Sequence, residues 1–129
     1  MRVLVDTQCW LWLQVEPERF SPGVLELLGD GANELLFSAA SSWEIAIKHA
    51  LGKLALPEPP ATFVPSRLVQ TGTTPLPIQH SHALRVASLP KHHRDPFDRL
   101  IIAQAELEGV PVLTTDDQFE MYAIERLRP

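Results

Sequence analysis

Two short runs, Arg2-Val3-Leu4-Val5 and Leu35-Leu36-Phe37-Ser38, are apolar without the in-and-out alternation of a half-exposed strand. A strand with no polar face is buried on both sides, and such strands belong to parallel sheets covered by helices. The segments between and after them supply the helices. Thr7 to Gln14 reads as helix. Ser21-Pro22, then Val24, Leu25, Leu27 and Leu28 before Gly29, gives a cap, a first-turn proline, an apolar stripe and a stop. Gly29 to Asn33 is a turn, and after the second strand Ser41 or Ser42 caps a helix that puts Trp43, Ile47, Ala50 and Leu51 on one face until Gly52. Prolines make Leu56 to Pro60 a connector into a weaker helix from about Ala61 to Gln70. Thr73 to Ile78, with prolines at 75 and 77, reads as a short edge strand, since proline cannot donate to a central ladder. His80 to Leu89 reads as helix, and Lys91 to Arg94 as a polar loop. Asp95-Pro96 opens the clearest helix, Phe97 to Glu108, closed by Gly109. Val110 to Thr114 is a strand, Asp116 to Met121 a helical turn, and Tyr122 to Glu125 a final strand. The expected fold is α/β: a three-layer α/β/α domain over residues 1–129 with a central, mostly parallel sheet, where sites form beyond the carboxyl ends of the strands.

Composition narrows the function. Lys plus Arg number 11 against 16 Asp plus Glu, a formal net charge of −5. That is the opposite of the basic footprint that coats nucleic acid, so any nucleic-acid role must be local or metal-assisted. The one cysteine, Cys9, excludes an intrachain disulfide and a cysteine-rich zinc site. No apolar run approaches a membrane span and the first residues do not spell a secretory signal, so the expectation is a cytoplasmic protein without membrane association.

Four acids stand out by position. Asp6 directly follows the first strand and Asp116 follows Val112-Leu113-Thr114 by one residue, so a parallel sheet brings both to one crevice, although each also suits capping of the helix after it. Glu44 completes S-x-x-E with Ser41, which spells a capping box, and Lys48 one turn on is a natural ion-pair partner. Asp98 leads a helix face that continues through Ile102, Ala105 and Gly109 without another charge, and burying it unpaired would cost several kcal/mol. Asp95 reads as the helix cap. Gathered together, Asp6, Glu44, Asp98 and Asp116 would form an oxygen-rich pocket whose like charges call for a divalent cation, and hard oxygen donors suit Mg²⁺ or Mn²⁺.

The strings Leu4-Val5-Asp6-Thr7, Ser41 to Lys48, His93 to Ala105 and Leu113-Thr114-Thr115-Asp116 together resemble the successive motifs of PIN-domain proteins, and within them the VapC-like toxins of prokaryotic type II toxin–antitoxin systems. The resemblance covers the chain in order, and the long string around Asp98 is its most specific part. It implies a metal-dependent endoribonuclease with Asp6, Glu44, Asp98 and Asp116 as metal-binding acids, an RNA substrate, a cognate antitoxin and a homodimer. Gln8 stands where family members often carry histidine. Asp117 beside Asp116 leaves two acids to choose between, and the spacing from Thr114 selects Asp116.

Thr7 and Thr114 are candidates to hydrogen-bond the acids or a metal-bound water, and Arg94 and Arg99, within the basic stretch from Lys91 to Arg99, to hold RNA phosphates. The histidines at 80, 82, 92 and 93 lack a zinc-like grouping and are set aside. Trp10 and Trp12 read as core or partner anchors on the first helix. Two other functions compete: a phosphatase with Asp6 as nucleophile, which Gln8 disfavours by replacing the second acid of a D-x-D pair, and a catalytically silent metal- or phosphoryl-binding regulatory module. Metal-dependent RNA cleavage separates all three.

Overall fold

A computed structural model describes all 129 residues. Five strands, β1 (Arg2–Val5), β2 (Glu34–Ser38), β3 (Thr74–Leu76), β4 (Val112–Leu113) and β5 (Arg126–Leu127), form one sheet in the order β3-β2-β1-β4-β5. Every pairing is parallel; Val3 lies opposite Leu35, and Val5 opposite Leu113. The helices are α1 (Thr7–Val15), α2 (Pro22–Gly29), α3 (Ala39–Ala50), α4 (Pro60–Gln70), α5 (His80–Val86) and α6 (Pro96–Glu108), with 3₁₀ turns at Pro17–Arg19 and Asp117–Met121. No helix is long and apolar enough to cross a membrane.

The absence of polar alternation in β1 and β2 is explained by two apolar layers. Val3, Val5, Leu35 and Phe37 point into one, with Cys9 and Trp10 of α1, Ile45 of α3 and Phe63 of α4; Leu4 and Leu36 point into the other, with Ile101, Ile102 and Ala105 of α6. Trp10 is fully buried, stacked on Phe37 at 4.2 Å between ring centroids and edge-on to Phe63 at 6.3 Å. Pro75 sits in β3 at the sheet edge, where its missing N–H costs no ladder bond. Gly109 closes α6 in the left-handed conformation at φ 65°, which a side chain would oppose.

The helix expected from His80 to Leu89 ends at Val86 and the strand expected from Val110 to Thr114 shrinks to Val112–Leu113, and two further boundaries differ in ways that bear on the site. β2 runs straight into α3, so the cap is Ser38, whose Oγ accepts the Ala40 N–H at 2.9 Å, and Ser41 and Ser42 lie inside the helix. The last strand is Arg126–Leu127 and not Tyr122–Glu125; Tyr122 instead ends the 3₁₀ turn and anchors the loop before α6.

Chain order places the site. β1, β2 and β3 step outward one way and β4, β5 the other, so the order reverses between β1 and β4. Asp6 and Asp116 follow those two strands and flank the crevice where the two halves of a parallel sheet diverge.

Candidate active site

Asp6 is the N-cap of α1, its Oδ1 accepting the Cys9 N–H at 2.7 Å. Asp116 caps the following 3₁₀ turn, Oδ1 accepting the Gln118 N–H at 2.9 Å. Asp95 caps α6 by accepting from Phe97 and Asp98. Capping is thus real at all three, and it fixes each carboxylate at the mouth of the same cleft. That cleft, about 340 Å³, is walled by Asp6, Glu44, Asp95, Asp98 and Asp116, with Lys48 and Lys53 as its cations.

Glu44 reaches the cleft from the second turn of α3 and cannot form the capping box that its spacing from Ser41 suggested, because the helix begins earlier. Ser41 Oγ instead accepts the Thr7 hydroxyl at 2.8 Å, tying α3 to α1. Glu44 Oε2 accepts from Lys48 Nζ at 2.5 Å, the ion pair foreseen from sequence, while its Oε1 is buried without any hydrogen-bond partner. A buried, unpaired carboxylate oxygen costs at least about 1–3 kcal/mol, and a cation in the cleft would relieve it.

The electrostatics agree. Burial, then the charges of Asp95, Glu44, Asp6 and Asp116, pushes the Asp98 carboxyl up to about 8. Asp6 is also raised, by burial above all, against the opposing pull of the Thr114 hydroxyl and the Cys9 amide. Lys48 is raised by its bond to Glu44. The buried Cys9 thiol is pushed up by desolvation and by Asp6, which leaves it no reactive thiolate. Acids that hold their protons this strongly form a pocket short of positive charge, and an all-oxygen donor set with one orphaned oxygen fits a hard divalent cation.

The four acids singled out from sequence come together. Asp117 turns outward and pairs with Arg126 at 2.6 Å, so Asp116 is the acid of the cleft. Thr114, buried behind the acids, accepts the Asp116 N–H at 3.0 Å, and Thr7 lines the cleft while donating its hydroxyl to Ser41. Arg99 has a structural role as well: its guanidinium donates to the carbonyls of Val86, Leu89, Pro90 and His93 and so pins the end of α5 and the following loop to α6. Arg94 is exposed, and it lines an open basic depression together with Lys91, His93 and Arg99.

Sequence reasoning missed two residues. Asp95, taken only as a cap, also lines the cleft and is the strongest neighbouring charge on Asp98. His93, set aside with the other histidines, is 9% exposed and places Nε2 2.7 Å from Asp116 Oδ2 and 3.2 Å from Asp98 Oδ2. The one signal for it was local: a histidine two residues before a capping aspartate can receive that aspartate's own N–H, as Nδ1 does here at 3.1 Å.

Comparison with known proteins places this geometry. The chain is 52% identical over 56 residues to Ribonuclease VapC16 of Mycobacterium tuberculosis, a match spanning 43% of this chain and 40% of that protein. Its fold superposes on a chain of the VapBC2 complex of Rickettsia felis bound to a promoter DNA fragment, with TM-score 0.75 at 15% identity over 99% of this chain and 98% of that one. DNA-bound VapBC of Salmonella typhimurium gives TM-score 0.74 at 15% identity over the same shares. The PIN domain family matches residues 3–125, nearly the whole chain with all four acids inside the match. The chain belongs to the PIN-domain family.

Proposed function

We propose that this chain is a metal-dependent endoribonuclease that hydrolyses RNA phosphodiester bonds, and that it acts as the toxin of a VapBC-type pair. The observation that carries the reading is the convergence of Asp6, Glu44, Asp98 and Asp116 on one cleft with a buried Glu44 oxygen left unpaired. These acids would hold Mg²⁺ or Mn²⁺, which when bound polarises a phosphoryl oxygen and lowers the pKa of an attacking water. Likeness to a protein named as a ribonuclease supports the substrate class.

The chain's own groups account for the rest. Bare carboxylates repel a phosphate, and Lys48 and Lys53 on the cleft wall offset part of that repulsion. Lys91 and Arg94 extend positive charge outward past His93, where they suit the phosphates flanking the cleaved one. With a net charge of −5 the chain as a whole repels RNA, so contacts close to the cleft must hold the substrate.

The test is incubation of total cellular RNA with purified protein, with and without Mg²⁺ or Mn²⁺, followed by mapping of the new ends. Wild type should generate discrete ends only with metal, and Asp98→Asn none. Cleavage that survives both chelation and Asp98→Asn would sink the reading.

A further inference from the structure

By distance alone His93 would be a metal ligand: one atom each from His93, Asp98 and Asp116 lie within 4.8 Å of one another. The other side of the ring decides differently. Nδ1 faces the backbone N–H of Asp95 at 3.1 Å, and a backbone amide can only donate, so Nδ1 carries a lone pair and no proton. The proton of the imidazole is therefore on Nε2, aimed at Asp116 Oδ2 and Asp98 Oδ2. A histidine that binds metal through Nε2 needs the opposite arrangement, a lone pair at Nε2 and an Nδ1–H given to a carboxylate, carbonyl or water. That tautomer would set one N–H against another here.

The loop holds the ring in this orientation. The His93 N–H donates to Tyr122 Oη at 2.7 Å, its carbonyl accepts from Arg99, and the ring meets Phe119 edge-on at 5.8 Å between centroids. Asp116 in turn has both oxygens engaged, Oδ1 by the Gln118 N–H and Oδ2 by His93. An N–H between two carboxylates also relieves their mutual repulsion, which no other donor does at that point of the cleft.

We propose that His93 is a positioning residue of the metal centre and not one of its ligands: its Nε2–H clamps Asp116 and Asp98 and holds their carboxylates for the cation. The inference rests on the preceding reading only in supposing that a divalent cation binds. It also keeps the donor set all-oxygen, which favours Mg²⁺ or Mn²⁺ over the imidazole-seeking metals.

Nitrogen-15 spectra of the imidazoles in labelled protein, with His93 assigned by its loss in His93→Gln, read the tautomer directly. The proton should sit on Nε2 in the metal-free protein and stay there at saturating Mg²⁺. Calorimetric titration with Mg²⁺ reads the clamp: His93→Ala should weaken binding about tenfold or more, while His93→Gln, which keeps an N–H near the Nε2 position, should stay within about threefold of wild type. A proton on Nδ1 in either state, equal weakening in the two variants, or unchanged affinity in His93→Ala would each overturn the proposal. The tautomer is measured on wild type, and loss of the signal in either His93→Gln or His93→Ala assigns it, so the reading stands even if one variant fails to fold. Neither readout uses RNA, so a protein that binds Mg²⁺ with this tautomer and cleaves nothing supports the role of His93 while overturning the nuclease reading.

Discussion

Asp98 carries the sharpest expectation for a single residue. In the unfolded chain its carboxyl titrates near the ordinary value of about 4, whereas in the metal-free cleft burial and the neighbouring acids push it up to about 8. Between those values the folded state binds the extra proton, so the stability of the metal-free protein falls as pH rises from about 4 to about 8. Asp98→Asn removes that loss. At pH 8 the metal-free variant should be more stable than wild type by several kcal/mol, with the difference vanishing near pH 4, and its RNA cleavage should drop by on the order of a hundredfold or more. Thermal melts at the two pH values check the first part; parallel pH slopes in both proteins would contradict it. Glu44→Gln separates site from scaffold in the same way. Glu44 makes no cap, and its Oε1 serves no fold contact, so cleavage should fall sharply while the melting temperature changes little. Sequence spacing misled at Glu44 because an S-x-x-E string says nothing about whether a strand leads into the helix without a loop. It missed His93 because its partners, Asp98 and Asp116, meet it only through the fold.

At the scale of elements, the most legible segments were those whose local signals agree with their tertiary setting. β1 and β2 show apolar runs because both their faces are covered, and α6 has its cap, its first-turn proline and its glycine stop. β5 was illegible for a physical reason. It is two residues long and includes Arg126, a charged residue that gives no apolar strand signal and whose buried guanidinium donates to the Thr114 carbonyl and pairs with Asp117 and Glu120. Tyr122, assigned from sequence to that strand, does different work: Oη accepts the His92 and His93 N–H groups and donates to the Pro90 carbonyl, holding the loop that carries His93. Tyr122→Phe leaves those groups unpaired and should cost roughly 1–3 kcal/mol. Because the loop also sets the imidazole, Mg²⁺ affinity should fall in the folded variant. A stability loss with unchanged Mg²⁺ affinity would show that the loop does not position the site. Trp10 lies deep in the opposite layer, which corrects any role for it as an exposed anchor; Trp10→Ala should cost roughly 3–5 kcal/mol through cavity formation, read by denaturant unfolding.

Over the whole molecule, charge and apolar surface meet along one line. A groove of about 310 Å³ between α1 and the segment from Leu54 to Phe63 is lined by Trp12, Val15, Leu56 and Phe63, with the Arg19 guanidinium over the Trp12 ring at 4.6 Å. Gln8, Leu11 and Leu54 belong both to this groove and to the acidic cleft, so the two run into each other. A partner segment with apolar side chains followed by a cation would fill both at once. For an antitoxin of the VapBC kind, we therefore expect apolar docking near Trp12 and an Arg or Lys among Asp6, Glu44, Asp98 and Asp116, with Arg favoured because its fork bridges carboxylates. The two halves should respond differently. Raised salt weakens the charged contact more than the apolar one, and saturating Mg²⁺ competes with the tail if both claim the same acids. Trp12→Ala should cost about 2 kcal/mol of affinity, roughly thirtyfold, without altering cleavage in the absence of antitoxin. Titration of the cognate antitoxin against wild type, Asp98→Asn and Trp12→Ala across a Mg²⁺ series checks this. Affinity that is the same at every Mg²⁺ concentration would rule out occupation of the acids by the tail, even for an antitoxin that silences cleavage.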